Sequence, residues 1–300
     1  MTTIRATPRS TMQIALDNLS TNLDKMSALQ EQLSSGKALN RPSDSPIQTV
    51  QAMQYRSDIR RSDQFQRNAS DGLNWLGMAD NTLTSMLSTV GRVKELVLQG
   101  MNGSTDPVQR GNIAQEVISL RDTLVGQANT KYLDRPIFAG NSNATSAYDP
   151  TTFSFVGSAN DQIERRVAPN QKIRVNLTGP EVFGPDGTGA GDDLFQVVDQ
   201  IATDLQSNPS ALASDLTALN TSTVTVENQL GAVGARYNQV DGMKSRAEDQ
   251  QVTLKNGLSD VENIDLPKTI VDLQLQETAY KAALSATSRV IQPSLLDFLR

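Results

Sequence analysis

One stretch, Pro209 to Val261, limits what this chain can fold into. Taken in alternating steps of four and three it reads Leu212, Leu216, Leu219, Thr223, Val226, Leu230, Val233, Tyr237, Val240, Lys244, Ala247, Gln251, Leu254, Leu258 and Val261. Only Thr223, Lys244 and Gln251 interrupt an apolar series. That spacing is the a/d seam of a helix packed along another helix. At 1.5 Å rise per residue such a helix is about 80 Å long. Ser207-Asn208-Pro209 gives it a start, with Asn208 as N-cap and proline in the first turn. A rod with one narrow seam cannot bury that seam by itself, so the partner lies elsewhere in the chain or in other chains.

The rest of the chain offers helices of the same kind. A first helix is expected from about Ser10 to Ser35, with Met12, Leu19, Met26 and Leu33 at d and Leu16, Leu23 and Gln30 at a. Gly36 fits the position just past its C-terminus. After a Pro-, Ser- and Asp-rich connection, Ser45-Pro46-Ile47-Gln48 reads as a capping box opening a long helix to about Met101. Leu83, Met86, Leu87, Val90, Val93 and Val97 share one face of it. Gly72 and Gly77 weaken its middle, and Trp75 there reads as a packed anchor. Asp106-Pro107 with Gln109 starts another helix that fades near Lys131.

From Tyr132 to Gly191 the composition changes to glycine, proline, asparagine and aromatics. Phe153-Ser154-Phe155 and Ile173 to Leu177 alternate as half-buried strands do. Gly179-Pro180 and Gly184 to Gly187 punctuate turns. A small β-rich domain inserted between helices, and separable from them, is the expectation. Gly187 to Asp192 resembles a phosphate loop only superficially: it follows no clear strand and lacks the lysine, so it reads as a linker. Asp192 and Asp193 cap a helix from Leu194 to Leu205. Beyond the long helix the register fails at Asn263-Ile264-Asp265-Leu266-Pro267, and proline is tolerated only in a first turn. A second seam then uses Leu266, Ile270, Leu273, Tyr280, Leu284 and Ile291, interrupted by Glu277 and Thr287. The tail Leu295-Leu296-Asp297-Phe298-Leu299-Arg300 is apolar enough to require cover.

The expected fold is mainly α with a β-rich insert, an elongated rod of paired N- and C-terminal long helices. Its parts are terminal helical segments 1–40 and 264–300, a helical rod of 41–131 and 192–263, and the insert 132–191. Two helices with one narrow seam each are marginal in water. The terminal pair, disordered or mobile in the monomer, is therefore expected to order mainly by packing against copies of itself or related chains, through Leu16, Leu19, Leu23, Met26, Leu33, Leu266, Ile270, Leu273, Tyr280, Leu284, Ile291, Leu295, Leu296, Phe298 and Leu299.

Composition narrows the function. The chain has no histidine and no cysteine, which removes the commonest general base, thiol nucleophiles, disulfides and the usual metal ligands. No cofactor is expected. A net charge of −6 argues against nucleic acid. No stretch approaches the roughly 20 apolar residues of a membrane span. Met1 to Thr11 lacks the apolar core of a secretory signal, so composition alone points to the cytoplasm.

Leu33-Ser34-Ser35-Gly36-Lys37 with Asn40, Arg67-Asn68-Ala69-Ser70-Asp71-Gly72, and Val93 to Val97 with Gln99 resemble the flagellin superfamily. The last nine residues, Gln292 to Arg300, resemble the hook-associated branch of that superfamily more than flagellins, which end in a shorter pattern. The resemblance covers about residues 10–130 and 200–300. It implies a structural, non-enzymatic subunit at the junction of flagellar hook and filament. It implies self-association in a ring layer, neighbouring hook-associated protein and flagellin as partners, and an export chaperone on the C-terminal region. It also implies an extracellular, flagellar location reached through the type III channel without a cleaved signal, which reverses the cytoplasmic reading. Three alternatives stay open: a flagellin filament subunit, an enzyme in the insert using carboxylates such as Asp161 and Glu164, and an intracellular coiled-coil scaffold.

Overall fold

The computed structural model describes residues 8–102, 105–185 and 193–291. Seven helices and two small hairpins follow in the order α1 (Pro8–Ser35), α2 (Pro46–Met101), α3 (Pro107–Ala128), β1 (Lys131–Tyr132), β2 (Arg135–Pro136), β3 (Glu164–Ala168), β4 (Gln171–Arg174), α4 (Gly179–Phe183), α5 (Leu194–Ser207), α6 (Leu212–Glu262) and α7 (Leu266–Ile291). The chain is mainly helical, and its strands are confined to the segment between α3 and α4. It divides into two compact units, one made of 1–61 with 251–300 and one of 62–250. The terminal unit thus takes in the ends of α2 and α6 as well as the segments 1–40 and 264–300.

Local signals place most helix ends. Gly36 closes α1 at φ +72°, a left-handed conformation that favours glycine, and its N–H bonds back to Gln32 O at 2.8 Å. Asp106 caps α3 by accepting from Gln109 N at 2.7 Å, and Asp193 caps α5 through Gln196 N at 2.8 Å. Asp265 does the same for α7, taking the Lys268 N–H at 3.2 Å. The start of the long helix differs from expectation. Asn208 closes α5, its N–H bonded to Asp204 O, and Ser210 Oγ donates to its side chain, so α6 begins only at Leu212. The whole Gly187–Asp192 run lies outside the described residues.

In the inner unit the heptad of α6 is realised as a narrow stripe. Leu212, Leu219, Val226, Val233 and Val240, one residue in seven, are each at most 1% exposed. The alternate positions Leu216 and Leu230 are half-buried, and Tyr237 is exposed. Opposite them α2 runs unbroken through Gly72 and Gly77. A Cβ on Gly72 would sit 3.1 Å from Val175 Cγ1 and 3.8 Å from Val240 Cγ1, so this glycine lets the insert and α6 approach α2 together. Ser62 Oγ donates to Ala247 O at 2.8 Å, tying the two helices again. Trp75 is buried and meets the Tyr132 ring edge-on at 5.5 Å, as a packed anchor should.

The insert is poorer in strand than its composition suggested, and it does not stand apart. Leu133 and Asp134, both at positive φ, turn β1 into β2. β3 and β4 pair antiparallel with an irregularity between Arg166 and Ala168. Phe153-Ser154-Phe155 forms no strand: Phe153 is at φ +56°, and Phe155 makes one isolated bridge to Tyr148. Ile173 to Leu177 is strand only to Arg174. Beyond it the buried Asn176 side chain takes over, accepting from Ile163 N at 2.8 Å and donating to Asp161 O at 2.9 Å. Gly179-Pro180 opens α4 instead of a turn, with the Glu181 carboxylate accepting the Thr178 N–H. Tyr148 and Phe183 pack on Phe195 of α5 with ring centroids 4.8 and 5.2 Å apart, so insert and helices share one core.

Candidate assembly surface

The terminal unit is built from α1, α7 and the adjoining ends of α2 and α6. α1 and α7 run antiparallel, as Gln276 meets Asn22 while Ile264 meets Gly36. The residues of α1 turned toward α7 are the half-buried Ala15, Leu19, Asn22, Met26, Leu29 and Leu33, in steps of four and three. On α7 the corresponding series is Thr269, Leu273, Gln276, Tyr280, Ala283 and Thr287. The seam is therefore rotated from the expected one. Leu19, Met26, Leu33, Leu273 and Tyr280 lie in it, as the sequence indicated. Leu16 and Leu23 on α1, and Leu266, Ile270 and Leu284 on α7, do not. They flank it at 40–52% exposure, together with Met12. Val271 and Leu275 add a second exposed apolar face on the far side of α7. Ile291 ends α7, and Leu295, Leu296, Phe298 and Leu299 lie outside the described residues.

The rotation has a chemical reason that an apolar-only pattern misses. Thr269 and Thr287 sit in the seam, and so does a polar layer at its middle. Gln276 Nε2 donates to both Asn22 O and Asn22 Oδ1 at 3.2 Å. A polar pair inside a mainly apolar seam costs stability and fixes register, because any slip leaves it unpaired. Ranking only apolar residues put Leu23 and Glu277 where the helices use Asn22 and Gln276.

A second feature had no sequence signal at all. Glu262, the last residue of α6, is only 5% exposed. Its Oε1 accepts from Lys37 Nζ and from Arg56 Nη2, both at 2.6 Å. The Lys37 bond, with Arg56 beside it, holds the Glu262 carboxyl below the usual glutamate range against the opposing effect of burial. Two backbone bonds lie next to it: Ala38 N to Glu262 O at 2.8 Å, and Ile264 N to Gly36 O at 3.2 Å. The three partners are separated by up to 225 positions, so only the fold brings them together.

Of the carboxylates considered for an enzyme in the insert, Glu164 pairs with Lys172 at 3.0 Å. Among the described residues a close acid pair lies elsewhere, on α5 and α6. There burial, then the Asp204 carboxylate, push Asp215 above the usual aspartate range. Among the described residues no helix is long and apolar enough to cross a membrane, and no group of three acidic side chains is placed to hold a metal ion.

Residues 9–143 match the model of the bacterial flagellin N-terminal helical region. Flagellar hook-associated protein 3 of Escherichia coli is 24% identical over 277 residues, 85% of this chain and 87% of the relative. Flagellin of Listeria monocytogenes is 24% identical over 286 residues, 93% of each chain. Among solved structures, Bacillus cereus FlgL superposes with a TM-score of 0.60 at 20% identity, covering 69% of this chain and 99% of that one. The flagellar junction protein FlgL of Legionella pneumophila gives 0.59 at 14% identity, covering 71% and 100%. The helical architecture with its small strand insert is thus the fold of these FlgL structures, and the N-terminal part of the chain is similar to the bacterial flagellin helical region.

Proposed function

We propose that this chain is the subunit that joins flagellar hook to filament, and that it assembles in a ring layer through its terminal helices. The observation that carries the reading is the terminal pair itself. α1 and α7 cover one narrow stripe of each other and leave Leu16, Leu23, Leu266, Ile270 and Leu284 half exposed on its flank. A flank of that kind is complete only when other helices cover it. Neighbouring copies are the cover that a ring supplies, with hook-associated protein and flagellin on its two sides. The FlgL fold and the E. coli relative support the junction in particular. On this reading the chain works by packing and carries no reaction. It leaves the cell through the flagellum's own export channel, with a chaperone covering the apolar C-terminal region beforehand.

A second reading, filament subunit, is favoured by one observation: the Listeria flagellin aligns along 93% of both chains. Immunogold electron microscopy of intact cells separates the two. Label confined to one band where hook meets filament is the expected result. Label along the whole filament overturns the junction reading in favour of flagellin, and label retained inside the cell overturns both.

A further inference from the structure

Three segments that the sequence keeps far apart end at one carboxylate oxygen. Lys37 stands just past α1, Arg56 lies about three turns into α2, and Glu262 terminates α6. The acid is almost fully buried, whereas the two cations are 47% and 49% exposed at their side chains. Burying a carboxylate costs heavily unless it is paired, so Glu262 is held in place by whichever cation is bonded to it. Both cations bond the same oxygen at 2.6 Å, so that one acid is doubly paired. Around this point the direct backbone links are few: Gly36 with Ile264, and Ala38 with Glu262, the pairing that makes the isolated bridge Lys37–Asn263. Apolar packing adds little, because Ala52 is the only fully buried hydrophobic residue among the described residues of the terminal unit.

We propose that Glu262 is a shared ionic latch that fixes the α1–α7 pair on the adjoining ends of α2 and α6, and that opening it lets the pair re-aim without unfolding the inner unit. The latch has two interchangeable bolts. Losing Lys37 or Arg56 alone leaves it closed, and losing both, or the acid, opens it. Such a joint allows the terminal helices to change direction as neighbours pack on them, and then holds the direction chosen.

The test uses the full chain and two readouts. Amide hydrogen exchange at Ala38 and Ile264 reports the joint, since those two N–H groups make the crossing bonds. Fluorescence of Trp75, the only tryptophan, reports melting of the inner unit. Glu262→Gln keeps the shape and removes the charge. It is expected to speed exchange at both amides by about tenfold or more, with the Trp75 melting curve unmoved. Lys37→Ala and Arg56→Ala alone are expected to change exchange by less than about threefold, and the double variant to match Glu262→Gln. Unchanged exchange in Glu262→Gln overturns the latch. So does a Trp75 transition that falls with it, because the acid would then support the whole fold. Effects of Lys37→Ala and Arg56→Ala that simply add overturn the shared-bolt arrangement.

Discussion

The two units obey the same heptad rule and reach opposite results. In the inner unit α6 presents one residue in seven to a core of α2, α3, α5 and the insert, and those residues are sealed. In the terminal unit α1 and α7 present a seam of similar length to each other alone. Apart from Ala52, no hydrophobic side chain described there is fully buried. Nor is the chemistry poorer: α7 carries leucine, isoleucine and valine on its seam, its flank and its far side. The difference is the number of walls. Two helices enclose a line, whereas five elements enclose a volume, and only a volume excludes water from every side. On the proposed function the terminal pair is an interface completed by other members, whereas the inner unit already encloses its own core.

The largest test of this comparison is a charge on the flank. Leu284→Asp alters a side chain that is 49% exposed in the single chain, so the monomer should melt as before. In an assembly the same carboxylate must be buried unpaired, at a cost of several kcal/mol. Complete loss of assembly by electron microscopy, with unchanged Trp75 fluorescence, is expected. Leu273→Asp should also abolish assembly, but it lies in the seam and should loosen α1 from α7 as well. Normal filaments in either variant break the model. The converse experiment is Phe195→Ala in the aromatic core. It should destabilise the inner unit by about 3–5 kcal/mol in denaturant melts read at Trp75, and leave exchange at Ala38 and Ile264 unmoved. Because Tyr148 and Phe183 lean on the same ring, deleting residues 140–185 should be worse than Phe195→Ala. The separable insert suggested by composition predicts the opposite.

How much was readable beforehand follows the same division. The heptad in α6 was legible because burial there is decided by apolar residues at fixed spacing. Gly36, Asp106 and Asp193 were legible because caps are local chemistry. The start of α6 was missed because Asn208-Pro209 carries the same signal whether the asparagine opens one helix or closes another. Its partners Asp204 O and Ser210 Oγ decide that. The seam of the terminal pair was half legible: Leu19, Met26, Leu33, Leu273 and Tyr280 hold, while Asn22 and Gln276 were invisible to a search for apolar residues. Glu262 was not legible at all. Nothing local distinguishes it from other acids on the surface of α6, since its role comes from Lys37 and Arg56, which the fold brings to it.

The polar layer gives a test of intermediate size. Replacing both Asn22 and Gln276 by leucine removes two half-buried amides and adds apolar contact. The α1–α7 pair should become more stable, by about 1–2 kcal/mol, and lose its single register. Spin labels on the two helices should change from one distance to a spread of distances, while Trp75 reports no change. A single sharp distance in the double variant would show that the joint, and not the layer, sets the register.

Acid separates the units by sign. Glu262 titrates below the usual glutamate range when folded. Its contribution is complete above the unfolded value and disappears as pH falls through the folded one, so the terminal joint weakens in acid. Asp215 titrates above the usual aspartate range, and its Oδ2 is buried without a donor beside Asp204. The folded inner unit therefore binds that proton more tightly than the unfolded chain, and this site loses stability as pH rises through the raised value. Asp215→Asn should raise the Trp75 melting temperature near neutral pH, and the gain should shrink as the solution is acidified. A gain that is constant with pH would mean that shape, not charge, strains this corner.

The smallest effect probes why the inner unit is not more stable than it is. Gly91 on α2 and Gly231 and Gly242 on α6 lie inside long helices, yet a Cβ on any of them would meet nothing within 4 Å. Packing within the chain therefore does not require glycine there, unlike Gly72 with Val175 and Val240 against it, or Gly100 with Leu205 on top of it. Each open glycine costs about 0.5–1 kcal/mol relative to alanine through the freedom it gives the unfolded chain. Gly231→Ala and Gly242→Ala should each raise the inner unit's stability by about that amount, and Gly100→Ala should lower it, all in melts read at Trp75. If the two stabilised variants still assemble normally, the glycines serve no contact between copies. If they fold better and assemble worse, the surface of α6 around them is approached closely by a neighbour, and the inner unit too is finished only in company.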